Sequence, residues 1–229
     1  MRRAGYEAAI YSSKSRQRVS RPVTAIGRLF RALTLGTALV LLSAPVAQAA
    51  GVQTRHHLQA VKAVDAPAGF NGVCQRYRWV CDPGQGGGVT GKALFDIAAT
   101  VNLSVNRRVR EVADQRQYNR REYWALPTSI GGDCEDFALL KKLELLGKGV
   151  AAERLLIATV LDRRQNPHAV LVLRTDRGDY VLDNLTNRMM HWSDTGYTFL
   201  RMQNPKAPGQ WVAIFAGGVF ADAGARLGA

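Results

Sequence analysis

The sequence predicts an α+β domain, with N-terminal helices packed on an antiparallel sheet built from its C-terminal half. Three observations predict it. Apolar residues recur every three or four positions in two stretches, Leu94 to Val112 and Ala138 to Leu146, which is the period of one helix face. From Leu156 onward the pattern changes to short apolar runs separated by turn-forming residues. Helices precede strands instead of alternating with them, which favours segregated helices and an antiparallel sheet over parallel βαβ units.

Residues 1–49 read as a targeting segment that stands apart from the fold. Met1 to Arg31 is basic and irregular, Ala32 to Ala44 is apolar and uncharged, and Ala47-Gln48-Ala49 has the small-x-small pattern of a cleavage site. The apolar run is shorter than the roughly 20 residues that a membrane span requires, so a cleaved secretory signal is expected over an anchor. The protein is therefore expected in the periplasm. The leader holds eight Lys or Arg and one Glu, so the net charge of +13 for the whole chain becomes +6 for the rest. That balance makes no case for a nucleic-acid partner. The arginines at 107, 108, 110, 116, 120 and 121 read as a solvated helix face, with an acidic partner or anionic membrane surface as the alternative.

Residues 50–91 are expected to form an N-terminal arm and a Gly-rich connector. They show no sustained periodicity, and His56-His57 is given no role. The connector contains a near-match to a phosphate-binding loop at Gly86, Gly91 and Lys92. It fails because Ala93 stands where a Ser or Thr is required and no clean strand precedes it. The principal domain is expected over 92–215. Its first helix starts at Lys92, with Leu94, Ile97, Val101, Val105, Val109 and Val112 on one face. Pro127 and Gly131-Gly132 break the chain ahead of a second helix, Cys134 to about Lys148. There Asp133 suits the N-cap, Glu135 and Asp136 suit the first turn, and Ala138, Leu139, Leu143 and Leu146 form the buried stripe. Strands are expected over 156–161, 168–174, 180–184, 198–202 and 211–215, the second and third joined by a tight turn at 175–179. Residues 216–229, rich in Gly and Ala, are expected to be a loose tail.

Three cysteines are an odd number for an exported chain. Cys74 and Cys81 lie in a loop-like stretch and are expected to pair; the alternatives are no bridge, or one that uses Cys134. If they pair, Cys134 is left as a free thiol at the start of a buried helix. The partial positive charge there favours an anion and would lower the thiol pKa. The alternative is that Cys134 is a small buried apolar residue.

His168 opens one strand of the hairpin and Asp183 closes the next. If paired residue numbers sum to 351 or 353 the two side chains share a face; a sum of 352 separates them. On a shared face Asp183 can hold one nitrogen of His168 and leave the other for a thiol, the orienter and base of a catalytic triad. Each residue alone has a plainer reading, His168 as a satisfied strand-end histidine and Asp183 as a turn former.

The order Cys on a helix, then His and Asp on a hairpin, resembles transglutaminase-like and papain-like cysteine enzymes. Tyr118, Trp124-Ala125-Leu126-Pro127, Gly132-Asp133-Cys134-Glu135-Asp136-Phe137-Ala138, Lys141, Pro167-His168-Ala169-Val170-Leu171 and Val181-Leu182-Asp183-Asn184 together resemble the bacterial transglutaminase-like cysteine proteinases of LapG type. The resemblance covers about Lys92 to Phe215. It implies a papain/transglutaminase-like fold and a thiol endopeptidase with Cys134 as nucleophile, His168 as base and acid, and Asp183 as orienter. Oxyanion donors are expected from the Cys134 N–H and from a side chain near Tyr123-Trp124. The chemistry itself implies no cofactor. The resemblance also implies calcium on Asp133 and Glu135, against the plainer reading that both serve the helix N-terminus. It further implies a surface adhesin as substrate and an inner-membrane cyclic-di-GMP receptor that sequesters the enzyme. Acyl transfer to an amine on the same triad, as in a transglutaminase or amidase, and an exported non-catalytic binding module are the competing readings.

Overall fold

The computed structural model describes residues 56–84 and 86–220. The expected signal peptide and the end of the expected tail, 221–229, lie outside the described residues. The strands are β1 (Lys62–Val64), β2 (Leu155–Leu161), β3 (Pro167–Thr175), β4 (Gly178–Leu182), β5 (Met190–His191), β6 (Thr198–Asn204) and β7 (Ala207–Ala216). They form one antiparallel sheet in the order β1-β7-β6-β2-β3-β4-β5. The helices are α1 (Val73–Arg76), α2 (Arg78–Cys81), α3 (Gly91–Arg108), α4 (Asp114–Tyr118) and α5 (Cys134–Gly147). No helix among the described residues is long and apolar enough to cross a membrane.

Within β2 and β3, residues 155–158 and 169–173 are uninterrupted apolar runs because both faces are buried there. Leu155 and Ile157 of β2 and Ala169, Leu171 and Leu173 of β3 pack with α3 and α5 in one core. The alternate residues, Leu156, Ala158, Val160, Val170 and Val172, join Tyr197, Phe199, Met202 and Ile214 in a second core. Burying a Leu, Ile or Val completely is worth about 1.5–3 kcal/mol, so a one-residue slip of either strand would exchange the two sets at great cost.

Several elements differ from the sequence expectation. α3 ends at Arg108, so Val109 is its C-cap and Val112 lies beyond it. Apolar period alone does not mark a helix end. On α5, Ala138 and Leu139 are buried as expected, but Phe137 and Leu145 are the other buried apolar residues, and Leu143 and Leu146 are only half-buried. Lys141 and Lys142 are buried too, because α5 is wedged between α3 and the sheet. Lys142 Nζ donates to Val80 O (2.9 Å) and to Gln203 Oε1 (3.0 Å), which ties α5 to α2 and β6.

The segment read as arm and connector contributes structure. β1 pairs with β7, and Phe70, Val73 and Val80 enter the core beneath α3 and α5. The stretch around Cys74 and Cys81 is two short helices, and the two sulfurs form a disulfide. His57, given no role from sequence, has its Nδ1 2.9 Å from Asp179 Oδ1. The buried Asp179 also receives Arg174, which anchors the N-terminal segment on the β3–β4 hairpin. Phe70 packs edge-on against Trp124 (5.4 Å) and Trp211 (5.1 Å), and the preceding residues 67–69 form one wall of a cleft.

Candidate active site

The two glycines before α5 do more than loosen the chain. Gly131 has φ +136°, and a Cβ there would lie 2.2 Å from Arg110 O. Only glycine permits that approach. Residues 110–112 then bond to Gly132 through Gly132 N to Arg110 O (3.1 Å) and Val112 N to Gly132 O (2.9 Å). This brings α4 beside the start of α5. Asp133 is the N-cap, and its carbonyl accepts Phe137 N at 3.0 Å. Its carboxylate does not cap the helix: Oδ2 accepts the backbone N–H of Asp114 at 3.1 Å.

Cys134 is the free cysteine among the described residues, as the paired Cys74 and Cys81 require. Its Sγ donates to Glu135 Oε2 at 3.1 Å. Burial pushes the thiol pKa well up, the Glu135 charge adds to this, and a hydrogen bond from the Ala169 N–H opposes it. These influences act against the lowering expected from the helix N-terminus. Desolvation and an adjacent carboxylate both favour the neutral thiol in this arrangement.

β3 and β4 pair with residue numbers that sum to 353, as in Leu171 with Leu182 and Thr175 with Gly178. That is one of the two registers placing His168 and Asp183 on one face. Asp183 lies just past the end of β4 instead of closing it. His168 Nε2 is 2.8 Å from Asp183 Oδ1, with both side chains buried. His168 Nδ1 is left for the cleft, which His168 lines together with Cys134.

Asp183 has further partners that the sequence did not disclose. Leu185 N donates to Oδ1 (3.0 Å), Tyr197 Oη donates to Oδ2 (2.5 Å), and Asn106 Nδ2 holds the Asp183 carbonyl (2.8 Å). Burial alone would raise the Asp183 pKa. The hydrogen bond and charge of His168, then Tyr197 and Leu185, bring it below the usual carboxylate value. Burial and the Asp183 carboxylate push the Tyr197 phenol up, which keeps it a donor.

A carboxylate cluster lies next to the thiol. Asp114, Asp133 and Glu135 each present an oxygen within 4.8 Å of the others. Asp133 and Glu135 were picked out by resemblance; Asp114, on α4, was not. Burial, then the Asp133 charge, raises Asp114 to about 6. The same two causes raise Glu135 to about 9. One oxygen of Asp114 and one of Asp133 are buried without a hydrogen-bond partner. Carboxylate oxygens this close together are a hard-ligand set suited to calcium. Asp136 belongs elsewhere: its Oδ1 accepts Ala125 N at 2.8 Å and fixes the loop before α5.

The family model of the bacterial transglutaminase-like cysteine proteinases matches residues 60–218. The chain belongs to that family. It is accordingly a cysteine protease with a transglutaminase-like fold. No curated protein matches it. Among solved structures it is similar to Legionella pneumophila LapG in three forms. The calcium-bound form shares 22% identity over 60% of this chain and 82% of that one, with a TM-score of 0.47. Another LapG structure shares 25% over 54% and 71%, at 0.45. The EGTA-treated form shares 24% over 50% of this chain and 66% of that chain, just under two thirds, at 0.43.

The proteinase's cleft has a volume of 340 Å³. Its walls come from residues 67–69, Trp124, the start of α5, the β2–β3 turn end and β6. A β-bulge in β6 opposite Thr159 and Val160 brings the adjacent residues Leu200 and Arg201 both to the cleft. Of the Tyr123-Trp124 pair, Trp124 lines the cleft. Its Nε1 is buried without a partner, beside Gly69. Tyr123 is engaged elsewhere, against Tyr118 and the Arg76 and Arg120 guanidiniums.

Proposed function

We propose that this proteinase is an exported thiol endopeptidase that cleaves a protein with Cys134, His168 and Asp183. The observation that carries the reading is the buried His168–Asp183 pair at 2.8 Å, in one cleft with a free thiol at a helix N-terminus. Asp183, kept ionised by its donors, fixes the imidazole through Nε2. Nδ1 then takes the Cys134 proton once the thiol turns from Glu135. The sulfur forms a bond to the peptide carbonyl carbon, and the proton on His168 passes to the leaving amine as the C–N bond breaks. Water, deprotonated by His168, displaces the sulfur and releases the acid. The Cys134 N–H is the candidate donor to the carbonyl oxygen, whereas Trp124 Nε1 has no exposed surface to offer it.

Asp114, Asp133 and Glu135 are the residues that would hold calcium. Bound there, the ion would supply positive charge to two buried carboxylates, Asp114 and Glu135, and the half-buried Asp133. It would also draw the Glu135 charge away from the thiol.

The disulfide between Cys74 and Cys81 supports an oxidising compartment, in line with the leader read from the sequence. The family reading extends the proposal to a large surface adhesin as substrate and to an inner-membrane cyclic-di-GMP receptor that sequesters the enzyme. The test compares the new protein N-termini released from cells carrying the wild type, the Cys134→Ala variant or no enzyme. A fragment present only with the wild type is expected. The same fragment with Cys134→Ala would remove the proposal.

A further inference from the structure

A second cavity, of 480 Å³, borders Tyr197, the donor to Asp183 Oδ2. Arg163, Arg164 and Arg188 line it, against a single acidic residue, Asp162. Asp162 is already engaged, because it accepts the backbone N–H groups of Arg164 (2.7 Å) and Asn166 (2.9 Å) in the β2–β3 turn. Arg163 spends Nε on Thr195 O at 2.7 Å, which orients its guanidinium. All three arginines are exposed, and none forms a salt bridge among the described residues. Leu185, 53% exposed, Met190 and the buried Tyr197 add apolar surface to the lining. The cavity is thus concave and positive, with an apolar contribution. Its size suits a few residues of peptide.

We propose that this cavity is an exosite for an acidic segment of the protein substrate, in which an apolar residue is flanked by carboxylates. Planar guanidiniums pair with carboxylates in bidentate fashion, and Leu185 offers contact to an apolar side chain. A concave site of this kind favours a peptide over the flat face of a membrane. The segment is also coupled to the dyad. Tyr197 and Leu185, which the occupant touches, both donate to Asp183. Calling the occupant a substrate segment rests on the endopeptidase reading; binding itself does not.

The test is fluorescence anisotropy with a fluorescein-labelled Glu-Glu-Leu-Glu-Glu peptide and the mature protein carrying Cys134→Ala, which cannot cleave by the proposed mechanism. Binding is expected, weakened by added salt and by at least about tenfold in Arg164→Glu/Arg188→Glu. Should that double variant melt differently from its parent, Arg188→Gln alone should weaken binding in the same direction. Equal affinity for a Gln-Gln-Leu-Gln-Gln peptide, or full affinity in the arginine variants, overturns the proposal. So does arginine-dependent binding to phosphatidylglycerol vesicles with none to the peptide. If the wild type and Cys134→Ala differ in cleavage but neither binds the acidic peptide, the exosite fails and the protease reading stands.

Discussion

Replacing Tyr197 by Phe probes how the orienting carboxylate is held. The change removes the donor to Asp183 Oδ2 and leaves His168 Nε2 and Leu185 N, both on Oδ1. A hydrogen bond to a buried ionised group contributes about 1.5–3 kcal/mol. Asp183 is held below the ordinary carboxylate value in the folded protein. Its ionisation therefore stabilises the fold above the ordinary aspartate range, and that contribution is lost as pH falls through the folded-state value. Without the Tyr197 hydroxyl the folded-state value rises. Tyr197→Phe should then be less stable by about 1.5–3 kcal/mol near neutral pH, with the deficit shrinking in acid. Urea unfolding at a series of pH values reads this directly. If the full bond energy is also missing in the transition state, kcat/KM falls by about ten- to a hundredfold, and its acid limb moves to higher pH. A deficit that is the same at every pH, together with unchanged kcat/KM, would refute the reasoning.

Two other outcomes follow from the buried charges. Calcium at a hundred times its Kd should stabilise the protein by about 2.7 kcal/mol, and EGTA should reverse this. Asp114→Asn should lose the effect while its thermal midpoint without calcium holds or rises; a calcium response equal to the wild type's would remove Asp114 from the site. Burial brings Lys141 and Lys142 down to about 7 in the folded protein. Each then binds fewer protons folded than unfolded above that pH, so stability should rise from about pH 7 toward the ordinary lysine value near 10.4. Lys142→Met should flatten that rise, and a urea midpoint with the same pH slope as the wild type would contradict it.

What the sequence disclosed follows from how local each signal is. The strand runs of β2 and β3 were legible because two-sided burial leaves uninterrupted apolar residues. The odd cysteine count pointed to Cys134 because the partner pair lies only seven residues apart. The His168–Asp183 contact reduced to one unknown, the parity of the hairpin register, which the turn decides. Asp114 and Tyr197 were not legible. Asp114 reaches Asp133 because Gly131 and Gly132 let residues 110–112 pack against them, a close approach that no sequence period records. Tyr197 lies just before β6, which two strands separate from β4 in the sheet, so its contact with Asp183 is not set by any strand pairing. A buried carboxylate with one histidine partner must find another donor, but spacing does not say which. The raised thiol pKa escaped for a related reason. The helix end is visible in sequence, whereas the desolvation that opposes it is a property of packing.

The central claim, that Cys134 is the nucleophile and His168–Asp183 its activator, is tested most directly by covalent trapping. The protein is incubated with a peptide vinyl sulfone, and the adduct is located by peptide-mapping mass spectrometry. The account predicts a single adduct on Cys134, formed much more slowly in His168→Ala and slowed less in Asp183→Asn. An adduct on another residue, or labelling of Cys134 at the same rate without His168, would contradict it.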